Sequence, residues 1–177
     1  MERDEKLPTG SSHTVSLLVE NKPGVLHRIA GLFSRRGYNI ASLTVGPTER
    51  PEYSRMTIVV RLSSKTVEQV VRQVQKLVPV VEVRELSPVD LVERELLLVK
   101  IRTPEKNHAE LRALAETYEA KIVDVSPDAL VIEASGNSGK LDALEDRLAH
   151  YGIQELCRSG RIALERGFKT LAPPNLK

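Results

Sequence analysis

Val15, Leu17 and Val19 alternate with Thr14, Ser16 and Leu18, the period-two pattern of a half-buried strand. The period then changes. Leu26, Ile29, Ala30 and Phe33 fall on one helical face, and Gly37 stops that helix, with Arg35 and Arg36 at the negative end of its dipole. Ile40 to Val45 and Met56 to Leu62 read as strands rich in β-branched residues, parted by a loop carrying Pro47 and Pro51. Val67, Val70, Val71 and Val74 form a second helical stripe, and Val80 to Leu86 a fourth strand. The order is βαββαβ.

After Ser87-Pro88 the same order returns. Leu96 to Ile101 predicts a strand; Leu111, Leu114, Ala115 and Tyr118 mark a helix, with Asn107 and Glu110 spaced as a capping box. Lys121 to Val125 and Leu130 to Ala134 follow as strands around Pro127-Asp128. Ser138 is placed to cap a helix carrying Leu141, Leu144 and Leu148, ended by Gly152, and Ile153 to Cys157 is the last strand. The expected fold is α+β, two ferredoxin-like βαββαβ sandwiches in tandem, residues 13–88 and 89–167, with flexible tails at 1–12 and 168–177. Tyr38 and Tyr118 read as equivalent points of the two halves.

Glu20-Asn21-Lys22-Pro23-Gly24-Val25-Leu26 joins the first strand to the first helix. Such a turn gathers unpaired N–H groups where the helix dipole favours a carboxylate. Asn21 adds an amide that donates and accepts, Pro23 suits a first helical turn, and Gly24 lets a ligand approach the backbone. On these residues alone the choice lies between a seat for a free amino acid and an ordinary strand-to-helix connection.

Asn21 to Leu26 resembles the ligand-loop signature of ACT domains, small amino-acid-sensing modules. Gly31-Leu32-Phe33-Ser34-Arg35-Arg36-Gly37-Tyr38-Asn39-Ile40, Ser42-Leu43-Thr44-Val45, Ser54-Arg55-Met56-Thr57-Ile58, Val92-Glu93-Arg94-Glu95 and Gly136-Asn137-Ser138-Gly139-Lys140-Leu141-Asp142 extend the likeness. Together these segments resemble the small regulatory subunits of acetolactate synthase, from about His13 to Gly167. The resemblance implies an N-terminal ACT domain that binds valine and dimerises, and a C-terminal domain for activation and contact with the large catalytic subunit. That partner would hold thiamine diphosphate, magnesium and FAD, and condense pyruvate with pyruvate or 2-ketobutyrate in branched-chain amino acid biosynthesis. This chain would bind none of those cofactors and catalyse nothing. It would activate the partner and confer feedback inhibition by valine; an ACT-domain sensor for a different amino acid or enzyme is the alternative.

In that site, backbone N–H groups of Gly24, Val25 and Leu26 face the valine carboxylate and Asn21 bonds its amino or carboxylate group. His27 sits at the mouth, either tuning ligand fit or simply facing solvent. Asn39 and Ile40 complete the set from elsewhere. Asn39 follows a helix about 20 Å long at ~1.5 Å per residue, so it lies at the far end of its own domain from Asn21. An antiparallel pairing of second strands, which are sheet edges in this fold, would carry Asn39 of one copy to Asn21 of the other.

Composition narrows the alternatives. Twenty-six Lys plus Arg against 24 Asp plus Glu leave no basic field for nucleic acid. Aromatics are 3% of the chain and absent from Met56 to Leu62, where an RNA-recognition motif would stack bases. Gly136 to Lys140 lacks the spacer and hydroxyl residue of a phosphate loop and reads as a helix-opening turn. His13, His27, His108 and His150 have no partner at ligand spacing, so no metal site is expected. Glu20, Glu49 and Glu52 read as solvated loop carboxylates, and the lone Cys157 as a small core residue. Met1 to Ser12 is polar, without a signal peptide's apolar stretch, and a cytoplasmic protein is expected. The segment from Arg158 to Lys177 carries five basic residues against one acidic, Glu165, and reads first as a disordered, solvated terminus, with contact to the catalytic subunit as the alternative.

Overall fold

The computed structural model describes residues 11–172. Strand β1 (Ser11–Glu20) leads into helix α1 (Val25–Arg35), followed by β2 (Ile40–Pro47), β3 (Tyr53–Leu62), α2 (Ser64–Val74) and β4 (Val80–Leu86). The four strands form an antiparallel sheet in the order β2-β3-β1-β4, leaving β2 on one edge. Both helices cover one face. Alternation turns Val15, Leu17 and Val19 of β1 and Met56, Ile58 and Val60 of β3 toward Val25, Ile29, Phe33, Val67, Val70 and Val74 of the helices. Burying a Phe33- or Ile29-sized side chain is worth about 2–3 kcal/mol, so this face holds the unit together. Ser63 caps α2, its hydroxyl accepting from the Thr66 N–H.

The second set is β5 (Leu91–Arg102), α3 (His108–Thr117), β6 (Lys121–Ser126), β7 (Ala129–Gly136), α4 (Ser138–Leu148) and β8 (Ile153–Arg158). Its sheet runs β6-β7-β5-β8, again antiparallel, and its core gathers Leu97, Val99, Ile101, Leu111, Leu130, Ile132, Leu141, Leu144 and Leu148. The fold is therefore α+β with two ferredoxin-like sandwiches, as the periodicities predict. A ninth strand, β9 (Ile162–Glu165), pairs with β5 and was not anticipated.

Two compact units result, Glu93–Ile162 and, among the described residues, those up to Val92 together with those from Ala163 onward. The C-terminal segment thus returns to the first unit instead of ending the second. Arg84 fastens it, donating to Glu165 at 2.7 Å and to the Thr170 carbonyl at 3.4 Å, while the Ala172 N–H donates to Glu82 and Leu171 is buried. Leu171 and Ala172 thus anchor a segment whose residues 168–170 stay exposed, and Ser11 and Ser12 already belong to β1. The rest of both expected tails, 1–10 and 173–177, lies outside the described residues.

Three local readings change. Asn107 makes no side-chain cap, because a 3-10 turn at Glu105–Asn107 runs into α3 and sends the Asn107 N–H to the Pro104 carbonyl. Asn137, not Ser138, caps α4, accepting from the Lys140 N–H at 2.9 Å. Cys157 is exposed on β8 rather than in the core.

Ser138 has another task. Its hydroxyl donates to Glu95 at 2.5 Å, and Glu95 also accepts from Arg158 at 2.6 Å and Arg161 at 3.4 Å. Arg158 reaches Asp142 at 2.5 Å and Arg161 pairs with Glu93 at 3.0 Å. Burial works against the Arg158 charge, but the hydrogen bonds it donates to Asp142 and Glu95 outweigh it and hold its pKa above the ordinary value. Val92 to Glu95 and Gly136 to Asp142, far apart in sequence, thus meet in one ionic clamp around the buried Glu95.

Candidate functional site

The β1–α1 turn is built around one backbone conformation. Gly24, the α1 N-cap, has φ 82°, in the left-handed region where a side chain is strained, and nothing lies within 4 Å of the point a Cβ would occupy. No side chain caps the helix. The Asn21 N–H donates to the Glu52 carbonyl at 2.8 Å and the Lys22 N–H to the Glu20 carbonyl at 3.0 Å, so the turn is tied down from the sheet side. The Val25 N–H, expected to face a ligand, leans on the Lys22 carbonyl at 3.4 Å. Among the described residues the N–H groups of Gly24, Leu26 and His27 have no protein acceptor, and they stand at the positive end of the dipole.

Side chains complete the picture. The Asn21 amide donates to the Pro51 carbonyl at 3.0 Å, which leaves its oxygen as the acceptor. Leu26 and His27 are exposed, Leu26 by 47%, while Val25 packs into the core as an apolar floor. Lys22 pairs with Glu20 at 3.0 Å on the rim, an exposed bridge of little energetic weight. A group with a carboxylate and an ammonium fits such a turn, the first on the free N–H groups and the second on the Asn21 oxygen.

Asn39 and Ile40 are elsewhere. Ile40 opens β2 opposite Val60, whereas Tyr53, at the other end of β3, lies opposite Glu20 beside the turn. Seven residues of β3 separate the two ends, roughly 23 Å at ~3.3 Å per residue. One chain therefore brings together Asn21, Gly24, Val25, Leu26 and His27 and holds Asn39 and Ile40 apart from them. The strand carrying Ile40 is the free edge of its sheet, and Val45 on it is 48% exposed.

Other chemistry is sparse. Among the described residues no cluster of three His, Cys, Asp or Glu side chains gathers as for a metal ion, and no helix is long and apolar enough to cross a membrane.

Known proteins share this fold. The AHAS small subunit-like ACT domain model matches residues 15–82, which makes the first unit an ACT domain. Residues 94–167 match the model of the small subunit of acetolactate synthase. The chain belongs to the family of acetolactate synthase small subunits. It is 46% identical over 156 residues to the acetolactate synthase small subunit of Mycobacterium bovis, covering 88% of this chain and 93% of that one. With the small subunit of Mycolicibacterium smegmatis it shares 46% identity over 156 residues, 88% of this chain and 92% of the relative. The crystal structure of the Thermotoga maritima small subunit superposes with a TM-score of 0.83 at 42% identity, covering 89% of this chain and 98% of that chain.

Proposed function

We propose that this chain is the regulatory, non-catalytic subunit of an acetolactate synthase in branched-chain amino acid biosynthesis, working in the cytoplasm, activating the large catalytic subunit and making it sensitive to valine. The observation that carries the reading is the uncapped α1 start, where left-handed Gly24 and three free N–H groups leave a carboxylate-sized seat beside the Asn21 oxygen. Valine occupies it, carboxylate on the N–H groups and ammonium on Asn21. Thiamine diphosphate, magnesium and FAD belong to the catalytic partner, and no role in this reading falls to them here. Asn39 and Ile40 reach the ligand from a second copy, paired antiparallel through the free β2 edge.

The shared site has a direct test. Asn21→Ala and Asn39→Ala each weaken valine binding as homodimers, because each strips an amide from both sites. In a mixed dimer one site loses both asparagines and the other regains both. Random exchange gives about half mixed dimers, and so about a quarter of all sites restored. Calorimetry of the refolded mixture then shows a minority of tight valine sites; their absence, with exchange confirmed by mass spectrometry, overturns the shared site.

A further inference from the structure

Ser54-Arg55-Met56-Thr57-Ile58 is a motif to which the valine seat gives no work. Met56 and Ile58 face the helices; Arg55 points to the other face of the sheet, where the segment after β9 lies over it. Between them is a cavity of about 160 Å³, lined by Arg55, Arg84, Leu86, Leu164, Glu165 and Leu171 among others. By volume it holds about five water molecules at ~30 Å³ each.

The charges around this cavity do not cancel. Glu165 holds Arg84 at 2.7 Å and Lys169 at 3.3 Å, and Glu82 holds Arg84 from its other side at 2.7 Å. Two carboxylates thus answer two cations. Arg55 is left over: it is half-buried, it donates to the Ser16 hydroxyl at 3.3 Å, and among the described residues no carboxylate forms an ion pair with it. Burial lowers its pKa; the more distant Glu49 and Glu82 counter this incompletely, and Arg84 adds repulsion. A half-buried guanidinium without a counter-ion is costly unless something anionic meets it. The remaining wall is apolar, with Leu86 and Leu171 buried and Leu164 on the rim.

We propose that this cavity is a second ligand site, taking a short aliphatic carboxylate whose head group sits on Arg55 and whose body lies against Leu86, Leu164 and Leu171. One net positive charge matches a monoanion. Three leucines match an alkyl body better than the hydrated shell of an inorganic ion. An α-amino acid fits poorly, because its ammonium would enter among Arg55, Arg84 and Lys169. The site is independent of the β1–α1 turn.

Methyl NMR of the full chain tests it, with isovalerate as the probe and valine and inorganic phosphate as comparisons. Isovalerate is expected to shift the Leu86, Leu164 and Leu171 methyl signals saturably, with phosphate and valine at least about tenfold weaker at those signals, that is ~1.4 kcal/mol. Arg55→Met removes the charge and weakens isovalerate more than tenfold. Should that variant not fold, Leu164→Glu carries the test, since Leu164 is 57% exposed and the new carboxylate repels the ligand from the rim. Gly24→Asp leaves these shifts unchanged, which separates this site from the valine seat. Unshifted leucine methyls, phosphate binding as tightly as isovalerate, or a folded Arg55→Met or Leu164→Glu chain that binds like the original each overturns the proposal.

Discussion

The two strand-to-helix turns of this chain follow one backbone path and end in opposite states. In the first unit the Glu20 N–H donates to the Pro79 carbonyl and the Asn21 N–H to the Glu52 carbonyl; in the second the Arg102 N–H donates to Gly152 and the Thr103 N–H to Asp128. A constant shift of 82 positions carries Asn21 onto Thr103, Phe33 onto Ala115 and Tyr38 onto Ala120. Lys106 then falls where Gly24 stands. Without a left-handed glycine the second turn winds into a 3-10 helix, and Thr103 and His108 point inward, 1% and 8% exposed. The Thr103 hydroxyl and the His108 Nε2 are buried there with no hydrogen-bond partner among the described residues. Fold alone does not make a seat: one turn opens its donors to solvent and the other closes over its own polar atoms.

The same shift contrasts the far ends of the two central strands. His13 on β1 pairs at 2.6 Å with Glu85, a carboxylate 35% exposed, whereas Glu95 on β5, 8% exposed, anchors the clamp of Ser138, Arg158 and Arg161. The largest effect is expected here. Glu95→Ala takes the buried shared carboxylate from two partly buried guanidinium groups, leaving Arg158 with Asp142 and Arg161 with Glu93, and destabilises the second unit by about 3 kcal/mol, while His13→Ala costs the first about 1 kcal/mol or less. Hydrogen exchange of the Val99 and Ile132 amides against those of Leu17 and Ile58 measures each unit separately. Equal losses in the two units would erase the contrast.

Next comes Gly24→Asp, which places a carboxylate at the open turn and so repels the ligand carboxylate from its donors. Valine inhibition of the reconstituted synthase is expected to weaken by about 100-fold, the size of a lost set of charge-assisted hydrogen bonds. Lys106→Asp, at the matching turn, leaves inhibition unchanged. An inhibited Gly24→Asp enzyme would remove the seat from the first turn.

Smaller, and opposite in sign, is Thr103→Val. Replacing an unpartnered buried hydroxyl by a methyl of similar shape removes a desolvation cost, so the second unit gains about 1 kcal/mol. A loss of that size would mean that the hydroxyl has a partner after all, such as a buried water.

How much of this is readable in advance depends on the range of the interaction. Alternation in β1 and the stripes of α1 and α2 reveal themselves because each repeats within a few residues. The turn from Asn21 to His27 was legible as a strand-to-helix connection for the same reason, being one contiguous stretch. Distance from Asn39 also followed from helix length alone. Ser138 was misread as a cap because its true partner, Glu95, is 43 residues away. Nothing periodic marks β9 or the returning segment to Ala172, held by Arg84 and Glu82 from β4. Tyr118 echoes Tyr38 in sequence, yet the hydrogen bonds pair Tyr118 with Arg36, two positions away.

That correction leads to the smallest effect, at the two helix ends. The Tyr38 N–H returns to the Phe33 carbonyl and the Ala120 N–H to the Ala115 carbonyl, so both helices close with the same six-residue C-terminal loop. The loop needs a left-handed residue. At that position α1 has Gly37, φ 68°, and α3 has Glu119, φ 51°, the one non-glycine residue with positive φ among those described. A Cβ at Gly37 meets no neighbour within 4 Å, so Gly37→Ala is opposed by backbone strain and not by packing, and it should lower Tm by about 3 °C. Glu119→Gly relieves the same strain in the second unit. It also releases Lys140, paired with Glu119 at 2.8 Å, but that carboxylate is 86% exposed and solvent screens the pair. Strain relief therefore outweighs the lost pair, and Tm should rise by about 1–2 °C. Calorimetry of both variants decides whether one backbone rule governs both ends: opposite shifts support it, and a fall in both would mean that the Lys140 pair, rather than the left-handed turn, sets the stability of the α3 terminus.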